Sequence, residues 1–163
     1  MRFIIFAIFL CISACGFKPM LAKNEAGHRV IDQIRIAKVE GKDSLRLERL
    51  VSENFHSNSQ VSKLYDLNIS VANETSSQAI LKDSVATRSR IKVTINYSLI
   101  DMETRNPIDK GVLYLYSGYD MVESELVNYT SESYVSENLL KELCEDLKSR
   151  LILVLTAREG MQN

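Results

Sequence analysis

The chain has 163 residues, 45% hydrophobic and 25% charged, with 20 basic and 21 acidic side chains. These proportions suit one globular domain with a short appendage and exclude a disordered, collagen-like or multi-span membrane chain. A formal charge of -1 and a pI near 6.1 supply no global field to attract nucleic acid.

Met1-Arg2 is followed by an uncharged apolar run from Phe3 to Ile12. As a helix that run would span roughly 15 Å, about half of a ~30 Å bilayer core, too short for a permanent transmembrane helix. A basic start, a short apolar stretch and small residues before a break describe a signal peptide over residues 1–14. The break, Ile12-Ser13-Ala14-Cys15-Gly16, resembles the lipobox of bacterial lipoproteins. That resemblance implies a diacylglyceryl thioether on Cys15, cleavage just before it, and acylation of the new amine with a chain such as palmitate. Cys11 would leave with the signal peptide, so Cys144 would be the one free thiol and no intramolecular disulfide could form. Two or three long acyl chains make a permanent anchor where a single myristoyl chain does not. By resemblance to Gram-negative sorting rules, Gly16 in place of Asp favours the outer membrane.

Residues 15–27 form a lipidated tether, ending in Gly27, and a single domain follows over 28–163. His28 to Val39 alternates in part, with Ile34 and Ile36 on one face, which predicts a first strand. Gly41 to Ser44 supplies a turn and a helix N-cap, after which Leu47, Leu50, Val51 and Phe55 repeat at helical spacing. Tyr65 to Val71 and Ile91 to Leu99 then alternate apolar with polar residues, the signature of strands with one buried and one wet face. Glu103 to Pro107 makes a turn. Ile108 to Tyr119 predicts a fourth strand that is apolar on both sides at Val112 to Tyr116, so Tyr114 and Tyr116 need a helix, a loop or a partner to cover them. Ser131 to Arg158 reads as a long helix with a stripe of Val135, Leu139, Leu143, Leu147, Leu151 and Leu155, and Cys144 as a half-buried thiol beside it. The expected fold is α+β, in the order β-α-β-β-β-α, with two helices on one face of a four-stranded, largely antiparallel sheet.

Nucleophile-elbow, paired-cysteine, HExxH and P-loop patterns are absent from the sequence. Two histidines, His28 and His56, do not build a metal site, and no cofactor is expected. Asp66 and Asp83-Ser84 lack a histidine base in any recognisable site pattern, so catalysis is not expected either. One polar cluster stands out: Lys82, Arg88, Arg90 and Lys92, with Arg90 and Lys92 on one strand face. It is either a strand face kept soluble or an anion-binding patch for phosphate or carboxylate groups.

Ala14-Cys15-Gly16-Phe17-Lys18-Pro19, Asp83, Thr87-Arg88 and Tyr97-Ser98-Leu99-Ile100-Asp101, set in this order of elements, resemble the lipopolysaccharide-assembly lipoprotein family LptE, most closely its alphaproteobacterial branch. Met20-Leu21 departs from the Leu-Tyr frequent there. The resemblance implies an α+β plug inside the β-barrel LptD, assistance to barrel assembly, and binding of lipopolysaccharide without catalysis. On that view Arg88, Arg90 and Lys92 are candidates for lipid A phosphates, and Tyr114 and Tyr116 for the barrel interface. The other readings are a periplasm-facing lipoprotein that binds a small ligand or serves an ABC transporter as auxiliary subunit, and a tethered hydrolase.

Cys15→Ser is expected to leave a longer, unacylated protein that no longer partitions with membranes into detergent. Mass spectrometry of the mature N-terminus decides it: an unmodified Cys15, or a start elsewhere, contradicts the lipobox.

Overall fold

The structure is a computed structural model that describes residues 25–55, 60–80 and 86–162. Its elements are α1 (Glu25–Asp32), β1 (Ile34–Gly41), α2 (Ser44–Phe55), β2 (Tyr65–Ile80), β3 (Ala86–Asp101), β4 (Pro107–Asp120) and α3 (Glu125–Gln162). The strands form one sheet in the order β1-β2-β3-β4. β1 runs parallel to β2 through the crossover of α2, and β2, β3 and β4 form an antiparallel meander. This is the expected α+β arrangement with one short helix added ahead of it.

That helix corrects the expected first strand. Residues 28–32, read from sequence as strand, lie in α1, and β1 begins only at Ile34. Val30, Ile31 and Ile34 are all buried, a spacing that suits a helical turn running into a strand and not a period of two. α1 packs on α3 and β1. The Lys63 ammonium donates to the Asp32 carbonyl at 2.5 Å, capping the helix end. The Gln33 carbonyl then accepts the Leu64 and Tyr65 amides, which joins the start of β1 to the start of β2. At the other end of β1, Gly41 sits at φ +117°, and a Cβ there would lie 2.0 Å from the Val71 carbonyl oxygen.

β2 and β3 run longer than their apolar alternation. Beyond Val71 the residues Asn73 to Ser76 are polar on both faces, yet they stay paired with β3 through Glu74↔Lys92 and Ser76↔Arg90. On this stretch of β2 the side toward α3 carries Asn73 and Thr75, which meet polar groups of that helix, so no apolar period of two marks it. α3 likewise starts at Glu125, six residues before the Ser131 start read from the sequence. Its first turn is tied to the preceding link by Asn128, whose side-chain amide donates to the Val122 carbonyl and accepts the Val122 amide.

One core joins all three helices to one face of the sheet. It contains Leu47, Leu50, Val51 and Phe55 of α2, the odd-numbered residues from Tyr65 to Val71 and from Ile91 to Leu99, and buried residues of α3 from Leu139 to Leu155. Each fully buried side chain of this kind contributes about 1.5–3 kcal/mol. Cys144 is completely buried and not half-buried as expected, because α1 and α2 both pack on α3 and widen its covered arc. Gly111 leaves room for the Tyr97 ring, and the Tyr97 hydroxyl donates to Asp109 at 2.7 Å. Burial raises the Cys144 thiol to about 12, with the Glu145 charge adding to it. Burial first, then the bond to Asp109, raises Tyr97 to about 12.

Both groups hold their protons longer in the folded state than in the unfolded chain. Unfolding therefore releases protons at high pH, and stability is expected to fall as pH climbs from about 9 toward 12. Urea unfolding of Cys144→Ala across that range tests this: its stability should decline less steeply with pH than that of wild type. An equal slope would show that the thiol ionises as easily folded as unfolded.

Candidate functional site: the open face of β3 and β4

With the helices on one side, the other face of the sheet is bare among the described residues. Its chemistry changes from strand to strand. β1 and β2 present Arg35, Lys38, Glu40, Asn68, Ser70 and Glu74, whereas β4 presents Val112, Tyr114 and Tyr116. Those three are 56%, 55% and 53% exposed. On β3 between them lie Arg88, Arg90, Lys92, Thr94 and Asn96.

The β3–β4 register decides which of these meet. Lys92 lies opposite Tyr116, Thr94 opposite Tyr114, Arg90 opposite Gly118 and Arg88 opposite Asp120. The Tyr114 and Tyr116 rings meet edge to face, 5.6 Å apart at 73°. The Lys92 ammonium sits over both rings, at 5.5 and 5.9 Å, and the Arg90 guanidinium over Tyr116 at 5.9 Å. Such cation–ring contacts contribute about 0.5–1 kcal/mol at exposed sites. Gly118 has no side chain to fill the space beside Arg90, and a cavity of about 500 Å³ opens there, lined by Arg88, Ser89, Arg90, Tyr116, Ser117 and Gly118.

Charge is distributed unevenly over the three cations. Lys92 faces Glu74 at 3.8 Å and Arg88 faces Asp120 at 3.9 Å, both long pairs with an exposed carboxylate that contribute little. Arg90 has no acidic partner among the described residues. The patch can therefore offer an anion one uncommitted guanidinium and two weakly committed cations, beside two aromatic rings that can cover an apolar or sugar surface. Arg88, Arg90 and Lys92, singled out for anions, and Tyr114 and Tyr116, singled out for a partner, thus form one continuous surface. Lys82, Asp83, Ser84, Cys15 and His56 lie outside the described residues. Among the described residues no group of three or more His, Cys, Asp or Glu side chains converges as a metal site would, and no helix is long and apolar enough to cross a membrane.

Two features escaped the sequence. The outward side of the first turns of α3 carries Leu126, Val127, Tyr129 and Tyr134, between 48% and 73% exposed, beside exposed Val122. Their helical spacing was visible, but with no buried stripe opposite it the segment looked like a linker. Beneath them a polar seam fastens α3 to the sheet. The Asn73 amide donates to Asp43 and to Ser136 Oγ, Thr75 donates to Glu132, and Tyr119 donates to Glu132 at 3.4 Å. Nothing in the spacing of these residues foretells their meeting.

No protein-family model matches the sequence, and no curated protein matches it at a significant level. Solved structures do match the fold. A candidate lipoprotein from Caulobacter crescentus CB15 superposes with a TM-score of 0.64 at 17% identity, covering 81% of this chain and 96% of its own. The rare lipoprotein B of Shewanella oneidensis gives 0.59 at 10% identity, with 80% and 99% covered. A minor lipoprotein of Acinetobacter baumannii gives 0.54 at 14% identity, with 71% and 89% covered. The chain thus has a fold found in bacterial lipoproteins.

Arg90→Gln removes a charge without removing an ion pair. Its stability in urea unfolding is expected to stay within about 0.5 kcal/mol of wild type, as for a surface substitution. A loss well beyond that would make Arg90 part of the fold's own support.

Proposed function

We propose that the chain is an outer-membrane lipoprotein of the LptE kind. It is anchored through Cys15, seated as a plug within the β-barrel LptD, and it binds lipopolysaccharide without catalysing a reaction. The observation that carries this reading is the helix-free face on which Tyr114, Tyr116 and Val112 stand exposed beside Arg90 and Lys92. A domain with all its helices on one side of its sheet leaves the other side for a partner, and a wall closing around it would cover that aromatic face. Phosphorylated sugar lipids suit the same patch, with guanidinium and ammonium for phosphates and rings for the apolar or sugar surface. The lipobox and the short motifs shared with LptE point the same way, and so does a fold found in bacterial lipoproteins. The cavity beside Gly118 favours one second reading, a small anionic ligand held between Arg88 and Arg90.

Two variants of the full chain test the proposal. Tyr114→Asp with Tyr116→Asp alters exposed side chains, so the protein should fold but recover little LptD from detergent-solubilised outer membrane. Arg88→Glu, Arg90→Glu and Lys92→Glu together should weaken lipopolysaccharide binding and flatten its dependence on salt. A folded tyrosine variant that still retrieves the barrel at wild-type yield refutes the docking face. Unchanged lipid binding by the charge variant across a salt series leaves the cations a solubility role.

A further inference from the structure

The two edges of the sheet are built differently. β1 is short, carries Arg35, Lys38 and Glu40, and is broken by a bulge between Ile36 and Lys38. These are devices that keep an edge strand from pairing with another chain. The middle of β4 has none of them. Its register with β3 is unbroken from Asp109 to Asp120, and no charged residue occurs from Gly111 to Tyr119. Leu113 and Leu115 stay partly exposed even though α3 packs on this strand. Among the described residues no backbone hydrogen bond from outside the sheet reaches Pro107–Asp120, so the outward amides and carbonyls of β4 have no protein partner there.

The segment is also complementary to itself. Antiparallel pairing of two copies centred on Leu115 sets Lys110 against the partner's Asp120, and by symmetry the same pair recurs at the other end. The same register sets Tyr114 against the partner's Tyr116 on the open face, an aromatic cross-strand pair. Slipping by one residue toward the start of the strand would instead set Asp109 against the partner's Asp120, like charge against like. Lys110 is exposed and has no ion pair among the described residues, and the contact of Asp120 with Arg88 is long and solvated.

We infer that the free edge of β4 joins a second copy of this chain, antiparallel and centred on Leu115, to make one continuous sheet across the pair. The dimer brings Tyr114 and Tyr116 to its seam, the rings that the barrel reading covers with a wall, so the pair describes the chain outside the barrel and a chain seated in the barrel is not part of it.

Sedimentation of the full-length protein in density-matched detergent tests it. Wild type should dimerise with concentration. Lys110→Asp alone, or Asp120→Lys alone, places like charges at both ends and should raise the dimer Kd about tenfold. The double exchange should restore the Kd to within about threefold of wild type. Circular dichroism should be unchanged throughout, since both residues are exposed. A second measurement covers a variant that fails to fold: mixing Tyr114→Cys chains with Tyr116→Cys chains should give disulfide-linked pairs in greater yield than either alone. A wild type monomeric at all concentrations, single exchanges without effect, a double exchange without rescue, or no preference for the mixed disulfide would each overturn the proposal.

Discussion

β3 has β2 on one side and β4 on the other, and from Ile91 to Leu99 every second residue is at most 4% exposed. Between them stand Lys92, Thr94, Asn96 and Ser98. A slip of one residue would carry five apolar side chains into water and four polar ones into the core, so this strand can occupy only one register. Everything else takes its side from that choice. The apolar face needs cover, which α1, α2 and α3 supply together, and the polar face is left bare. Arg90 is exposed and Lys92 half-buried on the open face because β3 cannot turn them inward, and Tyr114 and Tyr116 are exposed because β4 is paired to β3 in step.

Charge then holds α3 to this frame at both ends. Near its C-terminus Arg158 donates to Asp101 at 3.2 Å and Arg150 to Asp109 at 3.4 Å. Asp101 also accepts the amides of Glu103 and Thr104, which fixes the β3–β4 turn and holds its carboxyl below the usual range. At the opposite end the seam of Asn73, Asp43 and Ser136 does the same work with neutral and charged partners. Across the open face Arg35 grips the buried Asp66 carboxylate with two bonds, at 2.7 and 2.9 Å, joining β1 to β2. Removing one member of such a pair leaves a buried charge uncompensated, which makes it costly to break even where its net gain is small. These ties explain how a 38-residue helix stays on one face while the other remains free.

The sequence made the sheet legible wherever burial was one-sided. Tyr65 to Val71, Ile91 to Leu99 and the Leu139 to Leu155 stripe each face a core on one side and water on the other, and periodicity reports that contrast. It failed where the contrast vanished. Val30 and Ile31 sit in so short a helix that two adjacent apolar residues read equally well as strand. Asn73 to Ser76 are held by backbone pairing and by polar side-chain bonds, which leave no apolar period, and the outward Leu126, Val127 and Tyr129 precede the stripe of their own helix. The members of the candidate patch could be named one strand at a time, but their union could not. It depends on the register between β3 and β4, a relation between distant residues that no local period encodes.

That register also determines how a chain of formal charge -1 presents a local cationic patch. The whole molecule has a formal charge of -1, and Glu74 and Asp120 stand close enough to Lys92 and Arg88 to cancel much of their long-range field. What remains is short-ranged. The Arg90 guanidinium sits over the Tyr116 ring at 5.9 Å, where the ring offsets part of its charge without competing for its hydrogen-bond donors. Arg90 has no acidic partner among the described residues, and a cavity lies beside it where Gly118 supplies no side chain. Bulk charge would draw in any polyanion from a distance; on the proposed function this patch would select by contact, favouring a ligand that brings an anionic group and an apolar or sugar surface together. The same cation–ring contacts offset part of the apolar character of Tyr114 and Tyr116 on the open face.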